Sequence, residues 1–189
     1  MESFQSALFH ERIIVLHGSI NDRTADQVGE ALLRLRASNR SEPVTLYIKS
    51  PGGNTRDGLD ICDMIRLSGV PVDGVVVGFA NSMASVILQV CRRRMIARHA
   101  EVMIHNNECK VRLVARLVKE SMVIDDERVF SQLGYYLRRQ QRIYTIFAER
   151  SGQPLEEIIL AMNAERTFSA EEAVAFGLAD EVIDNPPKL

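Results

Sequence analysis

Three groups in this chain have the type and placing that acyl-transfer chemistry needs: a serine at the head of an apolar helix, a pair of glycines after a strand, and a histidine closing another strand. The segment Val75-Val76-Val77-Gly78-Phe79-Ala80-Asn81-Ser82-Met83-Ala84-Ser85-Val86-Ile87-Leu88 reads as a strand, a sharp turn and a helix that opens at Ser82. Such a turn lifts a hydroxyl to the end of a buried strand, beside the free N–H groups of a helix N-terminus, which favour negative charge. A nucleophilic serine needs both an exposed hydroxyl and donors aimed at a developing oxyanion. Serine is also a favoured N-cap residue, and on local pattern alone the cap is the commoner role. The spacing from Gly78 to Ser82 is not the G-x-S-x-G elbow of α/β-hydrolases, so that fold gains no support.

Gly52-Gly53 follows a strand and Ser50-Pro51. The pair suits a tight turn that needs positive φ. It equally suits close approach of backbone to a substrate, with a glycine N–H free to donate. His105 ends the apolar run Val102-Met103-Ile104. A histidine there is either a hydrogen-bonded edge residue or a base, since imidazole suits taking a serine proton near neutral pH. His99, Glu101, His105 and Cys109 lack a recognised ligand spacing, so no metal site is expected. Neither G-x-x-x-x-G-K-[ST] nor G-x-G-x-x-G occurs, so no phosphate-binding loop and no cofactor are expected. Arg92-Arg93-Arg94 reads as a solvated turn, and Arg138, Arg139 and Arg142 as a solvated helix face.

The elements that must position these groups alternate. Arg12–Leu16 and Val44–Ile48 read as strands, and Val75–Val77 as a third, ended at Gly78. Between them Thr24–Ala37 and Gly58–Leu67 carry apolar residues at helical period. Such a series points to an α/β fold of parallel strands with right-handed crossovers, whose ligands gather at the carboxyl ends of the strands. Ser50–Gly53 and Gly78–Ser82 both fall at that edge. Two more strands follow, Arg94–Ala97 and Glu101–Ile104. Residues 111–150 read as predominantly helical, with Gly134 as a candidate interruption. Leu155–Ala161 forms a short helix, Ser169-Ala170-Glu171-Glu172 is a capping box opening another, and 180–184 is a last strand.

The whole chain bounds the rest. Its 189 residues suit one domain with a real core. A formal net charge of −2 argues against a nucleic-acid binder. Cys62, Cys91 and Cys109 are odd in number and widely spaced, which suits a reducing cytoplasm. No secretory signal opens the chain, and no apolar run approaches the roughly 20 residues of a membrane span, so no membrane is expected as a partner.

Four motifs in series carry a family likeness: Tyr47–Gly53, Gly78–Met83, Val102–His105 and Phe168–Asp180. Together, from Glu11 to Asp184, the chain resembles the ClpP family of serine peptidases. The resemblance implies a crotonase-like ββα-repeat head (residues 11–105 and 151–184) with a helical handle (about 106–150). It implies Ser82 as nucleophile, His105 as general base, and the N–H groups of Gly53 and Met83 as an oxyanion hole. Glu165 stands where the family has the aspartate of its triad. The function implied is a cytoplasmic serine endopeptidase that cleaves polypeptides through an acyl-enzyme, inside a chamber of two stacked heptameric rings. The partners implied are an AAA+ Clp ATPase, a second ClpP-like subunit and further copies of the chain.

The stretch from His105 to Leu133 is longer than the family's handle and lacks the Pro and Gly common after the histidine. The family's longer amino-terminal segment, which helps engage the unfoldase, is not expected here. With Glu165, these departures keep open a non-catalytic or partner-activated ring subunit. An acyl-CoA enzyme of the crotonase type is a further alternative.

Overall fold

A computed structural model describes residues 4–106, 115–118, 121–124 and 126–185. After a short helix α1 (Phe4–His10), the chain lays down β1 (Ile13–His17), crosses over through α2 (Asp22–Ser38) to β2 (Val44–Ser50), and crosses again through α3 (Thr55–Ser68) to β3 (Val72–Asn81). All three strands pair in parallel. Most of their Val, Ile and Leu side chains are buried, as a parallel sheet covered by helices requires, while Val15 and Val77 are exposed. The crossover helices start at side-chain caps. Asn21 and Thr24 form a reciprocal capping box on α2, and Asn54 accepts from Arg56 and Asp57 at the start of α3.

The sheet forks at β3. Its first half pairs with β4 (Arg94–Ala97) at Gly74–Val76, and its last three residues pair with β5 (Glu101–Met103) at Phe79–Asn81. The expected end of this strand at Gly78 is therefore corrected. Gly78 takes φ 76° between the two pairings, and the strand continues to Asn81 before α4 (Met83–Val90) begins. Continuation is set by the non-local ladder to β5, which outweighs a lone glycine's local preference. α4 is buried from Met83 to Gln89, including its two polar residues Ser85 and Gln89.

Residues 111–150 depart from the expected helix. A two-stranded antiparallel ladder, β6 (Ala115–Val118) with β7 (Ser121–Ile124), precedes α5 (Asp126–Ser151). Residues 111–114, 119, 120 and 125 of that expectation lie outside the described residues. Val118, Val123 and Ile124 are β-branched, and such residues favour a ladder over a helix. Gly134 does not interrupt α5; one glycine costs a helix only about 1 kcal/mol. The C-terminal half of α5 joins the core through Ile143, Ile146 and Phe147. In its N-terminal half Phe130, Tyr135 and Leu137 are exposed.

The chain closes with α6 (Leu155–Asn163), β8 (Thr167–Ser169), α7 (Ala170–Phe176) and β9 (Glu181–Ile183). β8 pairs antiparallel with β5, and β9 adds to β4. Ser169 and Glu172 make the expected capping box, and Gly177 ends α7 in the left-handed conformation. The described residues thus form a mixed α/β fold of seven helices on a seven-stranded sheet, with a separate two-stranded ladder. None of these helices is long and apolar enough to cross a membrane.

Candidate active site

Ser82 sits between β3 and α4 with φ 56° and ψ −124°. A non-glycine residue at positive φ is uncommon and persists only where its surroundings over-determine it. Here the Ser82 N–H donates to Met103 O at 2.9 Å, and its carbonyl accepts from the Ser85 N–H at 3.0 Å. A side-chain cap calls for extended backbone at the N-cap residue. Ser82 does not have it, and its hydroxyl makes no cap hydrogen bond. The local expectation of a cap is therefore corrected. The Ser82 hydroxyl lies instead 2.8 Å from His105 Nε2.

That meeting follows from register. Asn81 pairs with Met103, so the residue after one strand and the second residue after the other leave the sheet side by side. The next anchor is the Ile104 N–H, which donates to Arg166 O at 3.1 Å. His105 is half-buried, on a run tied down on both sides.

The Gly52-Gly53 turn reaches the same place. Ile20 bridges Gly53: its N–H donates to Gly52 O and its carbonyl accepts from the Asn54 N–H, both at 2.9 Å. The bridge leaves the Gly53 N–H without an acceptor among the described residues. Met83 opens α4, so its N–H has no intrahelical partner either. A Cβ on Gly52 would stand 2.6 Å from Ser82 Cβ and 3.0 Å from Met83 N. The glycine turn and the serine elbow are thus in backbone contact. Ser50, which sequence reasoning took only as a strand breaker, fixes the turn: its hydroxyl donates to Gly18 O at 2.6 Å and accepts from the Gly52 N–H at 3.1 Å.

Glu165 lies in the turn after α6, at φ 49° and exposed. Among the described residues no hydrogen bond or ion pair joins its carboxylate to His105. The structure brings Ser82 and His105 into hydrogen-bonding contact, sets Gly52-Gly53 against the elbow, and leaves Glu165 apart.

The model of the Clp protease family matches residues 1–186. The chain belongs to the Clp protease family. It is 32% identical to the ATP-dependent Clp protease proteolytic subunit of Pleurastrum terricola over 177 residues, which cover 93% of this chain and 85% of that one. Membership makes the chain a ClpP-type protease, a hydrolase.

In this Clp protease chain, Val86, Ile104, Ile143, Phe147 and Met162 pack around Ser82 and His105 and leave no room for a water molecule between them. An open groove of about 880 Å³ runs between α2 and α3, lined by Asp22, Asp26, Asp57 and Asp60 among others. It contains neither Ser82 nor His105, and its volume carries no catalytic meaning. Next to the serine, Asn81 Oδ1 is buried without a hydrogen-bond partner among the described residues.

Proposed function

We propose that this chain is a serine endopeptidase that hydrolyses peptide bonds through an acyl-enzyme, acts in the cytoplasm within an oligomeric ring chamber, and receives polypeptide from an AAA+ unfoldase. The observation that carries the reading is the 2.8 Å contact between Ser82 Oγ and His105 Nε2, at a serine held in a strained backbone conformation. In the proposed reaction the Ser82 O–H donates to neutral His105 Nε2. Attack on the scissile carbonyl passes that proton to the imidazole, which then gives it to the leaving amine. The oxyanion takes hydrogen bonds from the Gly53 and Met83 N–H groups; losing one such donor typically costs about 2.7–4 kcal/mol of barrier. Water, activated by the same imidazole, then cleaves the acyl-enzyme. A fluorophosphonate probe tests the nucleophile: it labels the wild-type chain and leaves Ser82→Ala blank, and equal labelling of both sinks the assignment.

The separation of Glu165 from His105 favours a second reading, a ring subunit completed by a partner. In it Glu165 engages the Nδ1 side of the imidazole only in the assembled particle. The exposed Phe130, Tyr135 and Leu137 of α5 supply apolar surface for self-association. A burst of ester cleavage by the isolated chain, as large as that of the assembly, counts against this second reading.

A further inference from the structure

His105 needs something to hold its ring against Ser82, and Glu165 does not do so in this structure. Ile104 is the last residue of its run with a backbone hydrogen bond among the described residues. The next fixed point is the side chain of Asn106. Its Oδ1 accepts from Gln140 Nε2 at 3.0 Å and from the Tyr144 hydroxyl at 2.7 Å, and its Nδ2 donates to Asn163 Oδ1 at 2.5 Å. Three of the four hydrogen bonds a carboxamide can make are thus filled. They reach two elements, α5 through Gln140 and Tyr144 and the end of α6 through Asn163. Gln140 is 5% exposed, and its bond and that of Tyr144 are partly sheltered from water, whereas the bond to Asn163 is exposed.

We propose that Asn106 is a positioning residue: its clasp to Gln140, Tyr144 and Asn163 sets the imidazole of the adjacent His105 against Ser82. The inference rests on the reading of Ser82 and His105 as nucleophile and base, and extends it to the residues that align the base. The chain on either side of His105 is anchored, by the Ile104 N–H on Arg166 O and by the Asn106 side chain on α5 and α6. Displacement of α5 therefore reaches the base through Tyr144. α5 also packs beside Ser82 and His105 through Ile143 and Phe147.

Labelling by a fluorophosphonate probe, followed in time to its end point, tests the clasp on the full chain. Asn106→Ala is expected to label to the wild-type stoichiometry at a rate at least about tenfold lower. Tyr144→Phe, which keeps the ring and removes one hydrogen bond, is expected to slow labelling about threefold or more. The double variant is expected to label no slower than Asn106→Ala, because that change already removes the bond that Tyr144→Phe removes. A purely structural role would instead lower the end point and leave the rate of the labelled fraction unchanged, which overturns the proposal. If Ser82→Ala stays blank while Asn106→Ala and Tyr144→Phe label at the wild-type rate, the clasp falls and the nucleophile stands. If Ser82→Ala labels like wild type, the nucleophile reading falls first. Tyr144→Phe keeps the test decisive should Asn106→Ala fail to fold.

Discussion

At Ser82 the backbone holds a conformation that costs on the order of 1–3 kcal/mol for a residue with a Cβ. The cost is offset locally by the bond to Met103 O, by the first turn of α4 and by the backbone of Gly52 packed against the elbow. Gly52 is the most exacting of these. It has φ 90°, and a Cβ there would meet Asn81 O at 2.7 Å as well as Ser82 Cβ, neither of which is the far end of a flexible side chain. Gly52→Ala must therefore displace the elbow or the turn. We expect it to lose about 1–3 kcal/mol of stability, as overpacking does, and to lose far more activity than that loss explains, since the Gly53 and Met83 donors move relative to Ser82. Denaturant midpoints compared with kcat on a peptide ester separate the two effects. A variant destabilised but fully active would show that the turn is scaffold only. Ser82 and His105 were legible in the sequence by type and by their place at strand ends. Their contact was not, because it depends on the pairing of Asn81 with Met103, which local pattern does not encode. Asn106 was not legible at all; nothing in a lone asparagine after a histidine foretells Tyr144 from a helix far along the chain.

Between elements, the tie that closes the fold is the guanidinium of Arg94 at the start of β4. Its side chain is 7% exposed and donates to Gln89 Oε1, Gly177 O and the Asp180 carboxylate, so it joins α4, the end of α7 and the approach to β9. Burial pushes the Asp180 carboxyl up, but hydrogen bonds from the Arg94 side chain and N–H outweigh it and hold it below its ordinary value of 3.8. A carboxylate depressed by folding contributes stability above its unfolded pKa and loses it as pH falls through the folded one. We expect Asp180→Asn to cost about 1.5 kcal/mol at neutral pH, the lower end of the range for a hydrogen bond to a charged group, because water screens the half-exposed carboxylate. The difference from wild type should shrink as pH drops below 3.8. Urea unfolding across that range checks it, and a difference that stays constant into acid would mean that charge plays no part. The basic run Arg92-Arg93-Arg94 reads as solvated from the sequence; Arg94 is instead a buried strut, because Gln89, Gly177 and Asp180 supply three oxygens to its guanidinium. The strands, crossover helices and caps were legible because alternation, helical period and Asn or Ser at helix starts are local signals. The fork in β3 and the ladder of β6 with β7 were not, because ladders are chosen by partners distant in sequence.

Across the whole molecule, the candidate site draws its parts from four elements of the sheet edge, and one expected part stays outside. Glu165 lies two residues beyond Asn163, which is itself engaged with Asn106. A movement of this turn that brought the carboxylate to His105 would therefore also disturb the clasp, so that the base has one support or the other. Phe130 and Leu137 on α5 are 70% and 61% exposed, and α5 is the helix that carries Tyr144 and Gln140. Contacts that cover α5 in a ring or between rings are thus placed to act on the clasp and, through Asn163, on the turn that holds Glu165. We expect the probe to label size-fractionated assemblies faster than single chains. Glu165→Gln should leave the single-chain rate unchanged, because the carboxylate is not in contact with His105 there. In assemblies the same change should slow labelling strongly, toward the roughly 10⁴-fold loss seen when the carboxylate behind a triad histidine becomes an amide. Equal rates for Glu165→Gln and wild type in the assembled fraction would remove Glu165 from the mechanism and leave Ser82 and His105 working as a pair aligned by Asn106.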